Sequence, residues 1–149
     1  MNKKLQSLLE RFYPLLLAIA VAIVNWIFVR NYPLPDFAKD LFNATLSLAS
    51  ITVGFLTAAI SILSAMDQKF IVQQLKQANI YRKLINYFID AINWSFIVMV
   101  LDIFGLTISF NTDEPWKQLF FVFWTFSVSI ALTSTYRIVT VFAKLLKFS

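Results

Sequence analysis

The 149-residue sequence predicts an all-α integral membrane protein, a four-helix bundle with a cytoplasmic helical hairpin protruding between spans two and three. Three features carry that expectation. Hydrophobic residues make up 59% of the chain and charged residues only 14%, whereas soluble domains carry about 25% charged residues. Four apolar runs, of 18, 26, 20 and 19 residues, approach or exceed the roughly 20 residues that cross a bilayer. The basic residues cluster between these runs, where membrane proteins place them, so the net charge of +5 does not imply a nucleic-acid partner.

The chain is expected to form a single transmembrane domain over 1–149. Span one covers about 12–29, after a basic lead with Lys3, Lys4 and Arg11, and Pro14 is expected in its first turn, where proline is tolerated. The basic start and Ala18-Ile19-Ala20 resemble a signal peptide, but the apolar run continues nine residues further, so an uncleaved span is expected. Pro33 and Pro35 enforce a loop, and Asp36 is a candidate N-cap. Span two covers about 41–66. A helical hairpin over about 67–90 follows, broken near Ala78-Asn79, with Phe70, Leu75, Tyr81, Leu84, Ile85 and Phe88 on an apolar face that needs cover. Span three covers about 91–110. The polar breaker Asn111 to Pro115 leads into span four, about 118–136, and a basic tail.

Counting Lys and Arg sets the orientation. Segments 1–11, 67–90 and 137–149 hold ten basic residues; the opposite side holds Arg30, Lys39 and Lys117. The positive-inside rule therefore predicts a multi-pass inner-membrane protein with both termini cytoplasmic.

Two polar rows organise the helices. On span two, Asn43, Ser47, Ser50, Gly54, Thr57, Ser61 and Ser64 are spaced 4, 3, 4, 3, 4, 3. On span three, Ala91, Ser95, Val98, Asp102, Gly105 and Ser109 repeat that pattern. Gly54 and Gly105, the chain's two glycines, count to similar depths, which predicts a close crossing of spans two and three. The span-two row either lines water or packs against helices, since hydrocarbon offers it no partner. Asp102 is expected near mid-membrane, with Asn25, Ser50, Gly54 and Thr125 at similar depth. An acid there costs at least about 2.5–3.5 kcal/mol, which makes it a candidate ion or proton site or a bonded structural acid. Lys69, Lys76, Arg82 and Lys83 of the hairpin are candidate contacts for anionic lipid or a cytoplasmic partner.

The chain has no cysteine and no histidine, which removes disulfides, thiolate chemistry and the usual zinc sites. No nucleophile–base pair, phosphate loop or metal cluster is evident, so neither catalysis nor a cofactor is expected. The expected function is a homo-oligomeric pore or channel. The alternative is an accessory or anchoring subunit that binds a partner through the hairpin, and a third reading is a proton-coupled transporter using Asp102. The mid-membrane glutamate of small multidrug exporters is missing, because Glu10 precedes span one. The long second span, basic hairpin and lack of an enzyme domain resemble small bacterial membrane proteins that act as membrane-disrupting defence effectors. That resemblance implies a pore.

Overall fold

The computed structural model describes residues 3–31, 37–65, 80–108 and 114–147, with side chains over 13–30, 37–65, 81–108 and 114–141. All four elements are helices: α1 (Lys3–Asn31), α2 (Ala38–Ala65), α3 (Ile80–Thr107) and α4 (Pro115–Lys147). Each contains a stretch long and apolar enough to cross a membrane.

The helices overrun the predicted spans. α1 begins at Lys3, so Pro14 lies inside it rather than in its first turn. A proline there removes one backbone hydrogen bond and crowds the carbonyl one turn earlier, a cost that neighbouring helices can absorb in lipid. α3 begins at Ile80, just after the expected break at Ala78-Asn79, and runs without interruption into span three. Residues 80–90 are therefore the first turns of α3, continuous with span three. The remainder of the expected hairpin, 67–79, lies outside the described residues, as do Asp36 and Ser109. α4 starts at Pro115, a position where the missing N–H costs nothing, and the Lys117 N–H bonds to the Glu114 carbonyl at 3.0 Å. Its 33 residues carry the helix through the expected basic tail to Lys147, about 50 Å at 1.5 Å per residue.

Contacts run α2 against α3, α3 against α4 and α4 against α1. Neighbours are antiparallel, as the pairs Phe42–Gly105 and Leu56–Leu84, Phe104–Phe120 and Tyr87–Arg137, and Val29–Phe121 and Asn25–Thr125 show. The buried core has three layers. At the end where α1 meets α2 and α3 meets α4 in sequence, Val29, Ala38, Phe42, Phe121 and Trp124 form an aromatic cluster. Phe42 is its hub, set edge-on to Trp124 with ring centroids 4.8 Å apart. The middle layer is small: Ala49, Val98 and Ala131. At the opposite end Leu56, Leu84, Phe88, Ala91 and Ile138 close the bundle. Leu84 and Phe88 thus find cover within the chain itself.

The perimeter is apolar. Ile23, Val24, Phe28, Ile51, Phe55, Val100, Phe104 and Phe123 are all more than half exposed. Water would penalise such a surface by about 25 cal/mol per Å², whereas hydrocarbon does not.

Candidate functional site

Asp102 is a fully buried acid. α3 carries it on the same face as Ala91, Ser95, Val98 and Gly105, all of them buried, and Asp102 itself is 0% exposed. The Thr45 hydroxyl of α2 and the Trp124 indole N–H of α4 both donate to its Oδ1, each at 2.7 Å. Three helices are joined through one carboxylate oxygen. Among the described residues, Oδ2 has no hydrogen-bond partner. Such an orphan atom marks strain, a functional role or a place for water.

Asn25 and Thr125 form a second, separate polar contact. Asn25 Nδ2 donates to Thr125 Oγ1 at 2.8 Å, joining α1 to α4, while Thr125 donates back to the Phe121 carbonyl at 2.8 Å. Asn25 and Thr125, expected at a depth similar to Asp102, could have joined it in one polar site. They do not, because Thr125 and Trp124 are adjacent in sequence and point about 100° apart around α4.

Between the Asp102 level and the closing apolar layer, the small middle layer leaves a half-open crevice of about 280 Å³, including the space at its mouth. α3 provides its floor through Ser95 and Val98, and Thr45, Thr52 and Thr135 line it with hydroxyls. Thr45 thus touches both the crevice and Asp102.

The span-two row is placed differently from the span-three row. Asn43, Ser47, Ser50, Gly54, Thr57, Ser61 and Ser64 are all exposed. The buried face of α2 is Ala38, Phe42, Ala49 and Leu56. At about 100° per residue the centre of the polar row lies roughly 115° around the helix from that face. The large exposed apolar residues Leu48, Ile51, Phe55 and Ile62 occupy the other flank. Ser47, Ser50 and Ser61 donate to the carbonyls of Asn43, Leu46 and Thr57 one turn earlier, at 2.8–3.0 Å. Ser50 also reaches Met99 Sδ on α3 at 3.3 Å.

The expected crossing at Gly54 and Gly105 is therefore corrected. A Cβ at Gly54 would meet nothing within 4 Å among the described residues, while one at Gly105 would lie 2.9 Å from three atoms of the Phe42 ring. Spans two and three do pack together, but through the Phe42, Thr45, Ala49 and Leu56 face. The depth of Asp102 shifts for the same reason. It sits level with Thr45, five residues past Asp40, rather than with Ser50 or Gly54.

Trp124 and Thr45 are the functional neighbours that the sequence reading missed. Trp124 carried a usable signal: an indole well inside a span has an N–H that needs an acceptor, and Asp102 is the strong acceptor at hand. Thr45 lies between Asn43 and Ser47 in sequence but on a different face of α2, and carried no such signal.

The basic groups divide between the two ends. Lys117 is buried at the Asp102 end, 3.7 Å from Glu114 and 5.6 Å from the Trp116 ring, and the Trp116 indole also donates to Glu114. At the other end Arg82 and Lys83 are exposed on the first turns of α3. Arg137 of α4 lies over the Tyr87 ring, 3.5 Å from its centroid. Lys69 and Lys76 lie outside the described residues.

Compared with known proteins, the chain matches no family model, no curated protein and no solved structure. Its class therefore rests on its own architecture. Four helices long and apolar enough to span a bilayer, with many large apolar side chains on the perimeter, are those of a multi-pass helical membrane protein.

Proposed function

We propose that the protein is a homo-oligomeric pore of the inner membrane, with both termini cytoplasmic and the α2 polar rows of several copies lining a shared water path. The observation that carries this reading is the exposure of all seven row residues on a single chain. Lipid satisfies none of them, and the bundle's own seams are made elsewhere. The Asn43 carboxamide is the most demanding member, because its two donors and its acceptor exceed what its own helix can supply. The serine back-bonds lower the cost of the row but leave hydroxyl lone pairs free to meet water. The flank of Leu48, Ile51, Phe55 and Ile62 gives α2 a lipid or subunit contact beside the row. Opening such a path would dissipate ion gradients, the activity implied by the resemblance to membrane-disrupting effectors. No chemistry is assigned to the protein beyond this.

The accessory-subunit reading draws less support. Its main argument was an apolar hairpin face in need of a partner, and Leu84 and Phe88 of that face pack against Leu56 and Ile138.

The test is a cysteine series in the native cysteine-free chain, in membranes. Cysteines at Ser47, Ser50, Thr57 and Ser61 should react with a charged, water-soluble thiol reagent, while those at Ile51 and Phe55 should stay inert. Equal inertness at all four row positions overturns the pore.

A further inference from the structure

We propose that Arg137, which lies over the Tyr87 ring with Lys83 one turn away on α3, forms a binding site for the phosphate of an anionic phospholipid. The inference rests on the membrane-spanning part of the reading above and is independent of the pore.

The depth of Arg137 is the first argument. Between Lys117 and Arg137, α4 carries no charged residue. Those 19 residues span about 28 Å at 1.5 Å per residue, close to the thickness of the hydrocarbon core. Lys117 and Arg137 therefore mark its two boundaries, and Arg137 lies at the level of the lipid phosphates.

Preorganisation is the second argument. The guanidinium stands 3.5 Å from the Tyr87 ring centroid, in contact through its face. Stacking occupies the π-face and leaves the N–H groups at the rim, where a phosphate takes two parallel bonds. Arg137 makes no ion pair among the described residues. Asp90, one turn along α3 from Tyr87, is the nearest acid in sequence on that helix and is not paired with it either. A guanidinium set over an aromatic ring, with no carboxylate partner among the described residues, is suited to a phosphodiester in a way that a solvated lysine is not.

Charge is the third argument. Lys83 lies one turn before Tyr87 on α3, exposed and about 40° around from it, on the side of the ring nearer the helix start. The site thus has one planar cation, one flexible cation and an aromatic ring of the kind that prefers the headgroup level. That set matches an anionic headgroup.

The experiment uses the full chain purified in a nonionic detergent. Phosphatidylglycerol, phosphatidylcholine of the same acyl chains, and inorganic phosphate are added in separate titrations, and thermal unfolding and retained lipid are read. Phosphatidylglycerol should raise the unfolding midpoint and remain bound, while the other two should do neither. Arg137→Gln should abolish the effect. Arg137→Lys and Tyr87→Leu should each weaken phosphatidylglycerol about five- to tenfold, the first by losing the fork with the charge retained and the second by losing the platform. Lys83→Gln should weaken it about fivefold, the loss of one surface cation. Equal response to phosphatidylcholine, equal protection by inorganic phosphate, or wild-type binding by both Arg137→Lys and Tyr87→Leu would overturn the site. If Arg137→Gln does not fold, the Arg137→Lys and Tyr87→Leu pair decides. The readout involves no conductance, so its failure leaves the cysteine test of the pore untouched.

Discussion

Replacing each glycine by alanine separates two packing schemes for α2 and α3. In the structure, a Cβ on Gly105 falls 2.9 Å from Cε1, Cε2 and Cζ of Phe42. Carbon atoms in good contact sit about 3.5–4.0 Å apart, so the ring must withdraw by at least about 0.5 Å. It has little room to do so. Phe42 is 0% exposed, its ring lies 4.8 Å from Trp124, and Phe120 and Phe121 stand 6.2 and 6.3 Å away. Overpacking of this kind costs about 1–3 kcal/mol, and the better helix propensity of alanine returns up to about 1 kcal/mol. Gly105→Ala should therefore lose about 1–2 kcal/mol. Gly54→Ala meets no atom of its own chain within 4 Å among the described residues and should gain up to about 1 kcal/mol as a monomer. The assay is reversible unfolding in detergent at a protein concentration that keeps the chain monomeric. Phe42→Leu removes the offending ring tip, so Gly105→Ala should cost less in that background than in the wild type. If Gly105→Ala is as stable as wild type, or if Gly54→Ala loses as much as Gly105→Ala in the monomer, the Phe42 wedge is wrong. A Gly54→Ala loss that appears only when the protein assembles would instead place Gly54 against a second copy.

The remaining predictions concern the polar contacts. Asp102→Asn retains an acceptor for Thr45 and Trp124 and should unfold close to wild type, whereas Asp102→Leu strands both donors and should lose about 1–3 kcal/mol in the same assay. Trp124→Phe keeps the ring packing on Phe42 but removes the indole donor, so it should be destabilised by about 1 kcal/mol, and less so in an Asp102→Leu background. Asn25→Leu and Thr125→Val should each weaken the α1–α4 contact, with a coupling of about 0.6 kcal/mol in a double-mutant cycle.

Much of the architecture was legible in the residues. Each predicted span falls on a helix long and apolar enough to cross a membrane, apart from the terminal residues of span two and span three, because run length and the absence of charge need no tertiary knowledge. The span-three row was also legible. Ala91, Ser95, Val98, Asp102 and Gly105 lie on one face of α3, as their 3–4 spacing requires, and that face is buried. The helix limits were less so. Pro14 looks like an N-terminal residue, and Arg137 like the end of a span, yet both helices continue, since neither lipid nor loop chemistry stops a helix at a charge.

The sequence alone determined the lipid-compatible composition, the four helices and the existence of two polar rows, because these follow from local hydrophobicity and the 3.6-residue period. Which row is buried was decided only in the tertiary structure. Both rows have small residues at the same spacing, and the period reports that a face exists without naming its partner. Phe42 broke that symmetry. Its ring fills the groove above Gly105 and turns the Thr45 face of α2 toward Asp102, which leaves the Asn43–Ser64 row facing outward.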